Sequence, residues 1–356
     1  MIHPKAIQAL RLSRQFLDHP ANEAEYCALF RQLSPVFTPY WCCPGDPPRL
    51  VFRAGFDEVD FISGLRARRE VVKGRFQNGG IAYVFADELE LFASVYRKDP
   101  NRLSYDEMQL LDLLEHEGPM NIHLMKESTG LLTKQLTPLL HKLQEKFLVF
   151  EDQTDCEGDR AWYLFSSEWP DLDCGRYSKE EGIRELIVRF IRANVWADVA
   201  MIRSYYRLPV KEIKSTLQSL ADSGILLEQE VSTEDGEGLT GYILSEDKTI
   251  VSEDLVPSKS VFILHRNDFL VKSNEHWLKT KFQSEDYDIL QYILLDGVFQ
   301  GVVLGHFKNG PFIIEDIKLN LPAGTAMARR SEIIAAVGLV NDPVTSPVRR
   351  FMGEPL

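Results

Sequence analysis

A helix, helix, helix, hairpin pattern occurs twice in the middle of the chain, and this repetition constrains the fold more than any single motif does. In the first copy Ser104 and Glu107 have capping-box spacing, in which a hydroxyl and a carboxylate each satisfy a backbone amide left over at a helix start. Leu110, Leu111 and Leu114 continue as an apolar stripe, and Gly118-Pro119 ends it. A short helix with Ile122 and Met125 ends at Gly130, and Leu136, Leu140, Leu143 and Phe147 have the spacing of a third helix. Pro138 removes a hydrogen bond from that helix, so its expected start is Thr137. FLVFE and AWYLF around the turn-rich DCEGD then predict a hairpin. Ser178 and Glu181 repeat the box 74 residues later, followed by Ile183, Leu186, Ile187, Phe190 and Ile191 at helical spacing. A short helix from Asp198, a third helix with Ile213, Leu217 and Leu220 ending at Gly224, and a hairpin of ILLEQEV, TEDGEG and GYILS complete the second copy. Three helices closed by a two-stranded hairpin form the winged-helix arrangement, whose third helix can enter a major groove.

Beyond residue 257 the period changes. ILQYILL, VFQGVVLGHF and PFIIEDIKL read as strands separated by Asp296-Gly297 and Asn309-Gly310, dipeptides that tolerate the positive φ of tight turns. With VFILH before them and ARRSEIIAAVGLV after, they predict a small barrel-like β-domain with a terminal helix. Residues 1–103 carry two amphipathic helices, a Pro-rich bend, a basic helix near GLRARREVVKGR, a strand IAYVF and a helix DELELFASVY, an order compatible with an irregular third winged helix. The expected fold is therefore α+β, with tandem winged-helix units before a barrel-like C-terminal β-domain. The segments are 1–103, 104–170, 178–248 and 258–356.

Composition narrows the function classes. The chain has 356 residues, of which 44% are hydrophobic, enough for several cores. No run approaches the roughly 18 apolar residues of a membrane span, and the N-terminal MIHPKAIQALRLSRQF lacks a signal peptide's apolar block, so a cytoplasmic location is expected. Cys27, Cys42, Cys43, Cys156 and Cys174 are scattered and odd in number, which argues against a disulfide scaffold. His265, His276 and His306 have neither ligand spacing nor nearby cysteines, so neither metal nor cofactor is expected. The net charge of −13 is uneven: residues 1–150 hold 18 basic and 19 acidic side chains, 151–257 hold 11 and 23, and 258–356 hold 11 and 11. Both ends can therefore present basic faces to a polyanion.

Arg66, Arg68, Arg69, Lys73 and Arg75 form the densest basic cluster. Were this segment helical, Arg66, Arg69 and Lys73 would share a face suited to a phosphate strand, although a solvated charged face fits equally well. On the third helices, Lys134, His141 and Lys142, and then Lys211 and Lys214, avoid the apolar stripes. The predicted wings (Asp152, Asp155, Glu157, Asp159; Glu234, Asp235, Glu237) are acidic and unsuited to phosphate. HRNDFLVKSNEHW reads as a polar loop after a strand, in which Arg266 and Lys272 suit phosphate and Asn267 and Asn274 suit bases. Asp268 would instead orient that loop from a buried end, because a carboxylate facing phosphate is repelled. A polar cap of the β-domain is the alternative reading.

Taken together, the tandem winged helices, the C-terminal β-domain, NGGIAYVFADELELF and LHRNDFLV resemble the AlkZ/YcaQ winged-helix family of bacterial DNA glycosylases, in particular an AlkZ-related branch. Gly79-Gly80-Ile81-Ala82-Tyr83-Val84 before Glu88-Leu89 is similar to the family's Gly-Thr-x-His-Leu-Val strand, and Asp268 in Leu264-x-x-x-Asp268-x-Leu270 matches a pattern early in the β-domain. The resemblance implies a double-stranded DNA partner, plain or damaged, and excision of alkylated or crosslinked bases by a Gln-x-Gln or Gln-x-Asp pair before Asp-Pro. Cys43-Pro44-Gly45 before Asp46-Pro47 occupies that place here, and the family histidine falls on Ala82. Asp46 is then the nearby carboxylate able to stabilise positive charge at the sugar, with Tyr40 and Trp41 available to stack on an extruded base. A non-catalytic DNA-binding regulator and a protein-interaction scaffold are the competing classes.

Overall fold

Both capping boxes form, and they set the starts of the two repeated patterns. Ser104 Oγ accepts from Glu107 N at 3.2 Å while Glu107 Oε2 accepts from Ser104 N at 2.8 Å, and Ser178 and Glu181 repeat both bonds at the same distances. The computed structural model describes residues 2–39, 45–152, 160–232, 238–307 and 312–356. These divide into two compact units, one of Met1–Gln32, Leu50–Phe56 and Ile187–Leu356, the other of Leu33–Arg49 and Asp57–Leu186. Residues 1–103 contribute to both.

In the second of these units the helices Tyr105–Glu117, Ile122–Thr129 and Thr133–Glu145 precede an antiparallel hairpin of Val149–Asp152 and Ala161–Leu164. Leu110, Leu114, Met125, Leu136, Leu140 and Leu143 pack with the fully buried Trp162. The third helix starts earlier than its proline suggested, because Gln135 Oε1 reaches back to Leu132 N at 3.0 Å and Pro138 lies on an exposed side. The segment read as one basic helix is two elements. Helix Glu58–Ala67 stops, Arg69 turns the chain at φ 57°, and Val71–Phe76 continues as a strand antiparallel to Gly80–Phe85. The β-branched pair Val71-Val72 suits a pleated surface better than a helix.

Helix Lys179–Asn194 begins in the second unit and ends in the first, where helices Val199–Tyr206 and Val210–Asp222 follow it. Strands Leu226–Ser232 and Gly238–Leu244 then form a hairpin, which Trp196–Ala197 joins as a third strand. The C-terminal strands build a six-stranded sheet ordered Glu354–Pro355, Arg350–Phe351, Ile313–Leu319, Val298–His306, Asp288–Leu295, Val261–His265. This sheet is open, contrary to the barrel-like expectation. Two of its strands hold two residues each, and the end strands Glu354–Pro355 and Val261–His265 do not pair with each other. The chain also ends on the sheet and not on a helix. Asp296 and Gly297, at φ 52° and 82°, make the expected tight turn, whereas Asn309-Gly310 lies outside the described residues. The HRNDFLVKSNEHW segment is mostly helix: Asp268 caps Phe269–Lys281 by accepting from Leu270 N at 2.8 Å.

Candidate nucleic-acid interface

The strand Val71–Phe76 brings its cations to a common place, but it brings carboxylates with them. Lys73 Nζ lies 2.7 Å from Glu151, whose other oxygen accepts from Arg160 at 2.7 Å, and Glu151 has no exposed side-chain surface. Arg66 is buried, donates to Gly45 O at 2.7 Å and lies 5.4 Å from the Tyr83 ring centroid. Arg69 pairs with Glu168 and Asp152 and sits 4.4 Å over Tyr163. Arg75 donates to Gln144 and Gly79 O, and the exposed Arg68 pairs with Glu70. A cavity of about 20 Å³ lined by Arg66, Lys73, Tyr83 and Glu151 has room for a single water. The sequence expectation of three cations along one helical face does not hold here. Arg66 lies in the last turn of helix Glu58–Ala67, Arg69 in the turn that follows and Lys73 on the strand, and each has a protein partner.

Tyr83 and Glu151 are the members of this cluster that pattern reading passed over. Lys73 pairs across the strands with Tyr83, so both side chains leave the same face, while Ala82 opposite Gly74 leaves the other. Tyr83 thus holds the position beside Arg66 and Asp46, and Ala82 is fully buried. Burial raises the Tyr83 pKa, with Arg66 opposing, so the phenol stays protonated at neutral pH. The available signal for Glu151 was its place as the first carboxylate after the apolar run Phe147–Phe150.

On the third helices Lys134, Lys142, Lys211 and Lys214 are exposed, and no ion pair holds any of them among the described residues. His141 differs from the expectation. Its ring turns toward Trp162, 6.3 Å away, and burial together with Arg75 lowers its pKa to about 4, leaving it neutral and unsuited to phosphate.

Along the His265–Trp277 segment, buried His265 accepts from Asn267 N through Nδ1 at 3.1 Å. Arg266 is exposed, with its guanidinium 5.7 Å from the Phe307 ring. Lys272 is half-buried and Asn274 is buried, and the Asn274 amide is spent within its helix, donating to Leu270 O and accepting from Trp277 Nε1. Lys272 and Asn274 point inward because the segment is an amphipathic helix and not a loop. Asp268 also receives Arg53, a fully buried arginine that in turn donates to Gln15.

Asp46 is half-buried and takes a hydrogen bond from Thr38 on its carbonyl. Tyr40, Trp41, Cys43 and the wing acids Asp155, Glu157, Asp159, Glu234, Asp235 and Glu237 lie outside the described residues. Gln32, at the end of helix Glu23–Leu33, was not singled out by its sequence, yet its side-chain Nε2 is buried without a hydrogen-bond partner among the described residues. It opens Gln32-Leu33-Ser34-Pro35, a Gln-led stretch before a proline. Among the described residues no cluster of His, Cys, Asp and Glu is arranged to hold a metal, and no helix is long and apolar enough to cross a membrane.

These elements define a mixed α+β protein with several separate sheets, none of them closed. Among solved structures, this architecture is similar to that of Streptomyces sahachiroi DNA glycosylase AlkZ, with a TM-score of 0.65 and 14% identity over 97% of this chain and 98% of that one. No protein-family model matches the sequence, and no curated protein matches it by sequence.

Proposed function

We propose that this protein binds duplex DNA, with segments 104–170 and 178–248 acting as winged helices that present Thr133–Glu145 and Val210–Asp222 to the grooves. The observation that carries this reading is the pair of exposed lysines on each third helix, Lys134 with Lys142 and Lys211 with Lys214, that no ion pair holds among the described residues, set against a basic cluster that is neutralised internally. A mobile cation free of protein carboxylates can replace a DNA counterion, whereas a buried paired one cannot do so without breaking its pair. Arg266 offers a further exposed cation. The acidic hairpins stay away from phosphate on this reading. The test is fluorescence anisotropy of a labelled duplex across a salt series. Lys134→Ala with Lys142→Ala, and Lys211→Ala with Lys214→Ala, should each weaken binding and flatten the salt slope by about one per lost phosphate contact. Unchanged affinity and slope in both variants would refute it.

Base excision is the second part of the reading, and the fold shared with a DNA glycosylase supports it. For that chemistry Gln32 is a stronger candidate than Asp46. Its buried amide donor has unused capacity to hold a water or a base edge, and it supplies the glutamine that the Cys43–Asp46 stretch lacks. Release of a base from alkylated duplex, followed by abasic-site cleavage, separates this activity from binding alone.

A further inference from the structure

A concave pocket of about 890 Å³ opens within the unit containing the six-stranded sheet, and none of the lysines of the proposed DNA surface lines it. Its walls come from helices Pro4–Arg14 and Phe269–Lys281, strand Trp196–Ala197 and the start of strand Val298–His306. Its size falls in the range of small-molecule sites, and its character is aromatic.

Trp196, Trp277 and Phe299 line it, and both indoles donate a hydrogen bond, Trp196 Nε1 to Gln229 O at 3.4 Å. Trp277 donates through Nε1 to Asn274 at 2.9 Å and meets Phe299 edge-on at 6.1 Å. Trp196 is seated against Gly241, where an added Cβ would fall 2.5 Å from the indole, so only glycine permits that ring position. Rings held in place before a ligand arrives reduce the ordering cost of stacking.

The charge on the wall is out of balance. The Arg11 side chain makes one hydrogen bond among the described residues, Nε to Asn194 O at 3.0 Å, and no carboxylate pairs with it there. Its neighbours are different: Arg14 on the same helix pairs with Asp247, and buried Arg53 pairs with Asp268. Burial lowers the Arg11 pKa to about 10, which leaves it fully charged at neutral pH. Asp198 also lines the pocket, but one of its oxygens is occupied capping Val199–Tyr206 through Met201 N at 2.7 Å. The side-chain amides of Gln8 and Asn320 face the same space and bond to no described residue.

We propose that this pocket binds a small planar aromatic anion, with its rings on Trp196, Trp277 and Phe299 and its negatively charged group on the guanidinium of Arg11. The opposite charge is what Arg11 lacks, and stacking is what the wall offers. This proposal does not depend on DNA binding.

The experiment is isothermal titration of the full chain with three probes: indole-3-acetate, deoxyadenosine monophosphate and, as a neutral control, adenosine. At least one anion should bind about 10- to 100-fold more tightly than the neutral control, the range expected for a hydrogen bond to a charged group. Binding of the nucleotide alone identifies phosphate as the charged group, and binding of indole-3-acetate alone identifies carboxylate. Arg11→Gln should abolish the gap between anion and neutral. Thr280→Trp, which fills the pocket from its exposed edge and removes no internal bond, should abolish binding of every probe while the melting temperature stays put. Equal affinity for anion and neutral, no binding of either anion, or full binding by Thr280→Trp would each overturn the proposal. The probe comparison and Thr280→Trp decide it even if Arg11→Gln does not fold.

Discussion

Replacing Glu151 by glutamine removes one charge from a site where its partners cannot easily reach water. The Glu151 side chain is fully buried, Lys73 is 10% exposed and Arg160 is 28% exposed. Stripping one partner from a buried pair costs about 3–5 kcal/mol, because the remaining charge stays desolvated without its counterpart. Most of that loss falls on Lys73, since Arg160 has more solvent to turn to. At about 2–4 °C per kcal/mol for a domain of this size, the melting temperature should fall on the order of 10 °C. Adding Lys73→Met to Glu151→Gln removes the orphaned ammonium and keeps an apolar stem, so the double variant should melt well above the single one. Calorimetry with parallel circular dichroism measures all three proteins. The reasoning fails if Glu151→Gln melts within about 2 °C of the parent, or if Lys73→Met restores nothing. Acid provides a second reading of the same site. Burial alone would raise the Glu151 pKa, but Lys73 and Arg160 outweigh it and hold the carboxyl below its usual range. The pair's stabilisation is therefore complete above the unfolded-state value of about 4.3 and is lost as pH falls through the lower folded-state value. An Arg66, Arg69 and Lys73 triple alanine variant should accordingly lose stability, so any change in its DNA affinity has to be read well below its own melting temperature.

Asp268→Asn keeps a capping oxygen for Phe269–Lys281 but withdraws the charge facing fully buried Arg53, and urea unfolding should show a loss of about 3 kcal/mol; less than about 1 kcal/mol would mean Arg53 finds another partner. Buried His265 has its pKa lowered to about 3, by burial first and then by Arg266 and Lys272. The unfolded chain therefore binds the proton that the folded chain refuses, and stability present above about pH 6.5 should fall by on the order of 4 kcal/mol as pH drops toward 3, a slope that His265→Gln should flatten. In an alkylated-duplex excision assay, Gln32→Ala should reduce any base release about a hundredfold. If Asp46→Asn produces that loss and Gln32→Ala does not, the carboxylate carries the chemistry.

The repeated helices were legible because capping and apolar spacing are local: Ser104, Glu107, Ser178 and Glu181 announce themselves within four residues, and the same bonds form in the structure. The misread segments share a different cause. In GLRARREVVKGR the density of cations suggested a helical face, but Val71, Val72 and the hairpin pairing with Gly80–Phe85 across the Gln77-Asn78-Gly79 turn decide the backbone, and charge says nothing of that choice. In HRNDFLVKSNEHW the polar side chains suggested a loop, although Phe269, Leu270 and Leu278 form the buried side of a helix whose polar members Ser273 and Asn274 are buried too. Sheet closure was equally hidden, since it depends on whether the first and last strands meet. At the candidate site, charge could be counted from the sequence but pairing could not. Glu151 and Glu168 lie 78 and 99 residues from the cations they neutralise.

The outermost strands of the C-terminal sheet have a consequence for handling the protein. Ile313–Leu319 takes a parallel partner at Phe351, and Glu354–Pro355 folds back on Arg350–Phe351, so a proline and charged side chains occupy the rim. Removing residues 350–356 would strip the pairing at Ile317 and leave the outer edge of the seven-residue strand Ile313–Leu319 without that strand partner, the kind of template on which other chains add. A variant lacking residues 350–356 should self-associate in proportion to concentration even where its helices remain folded.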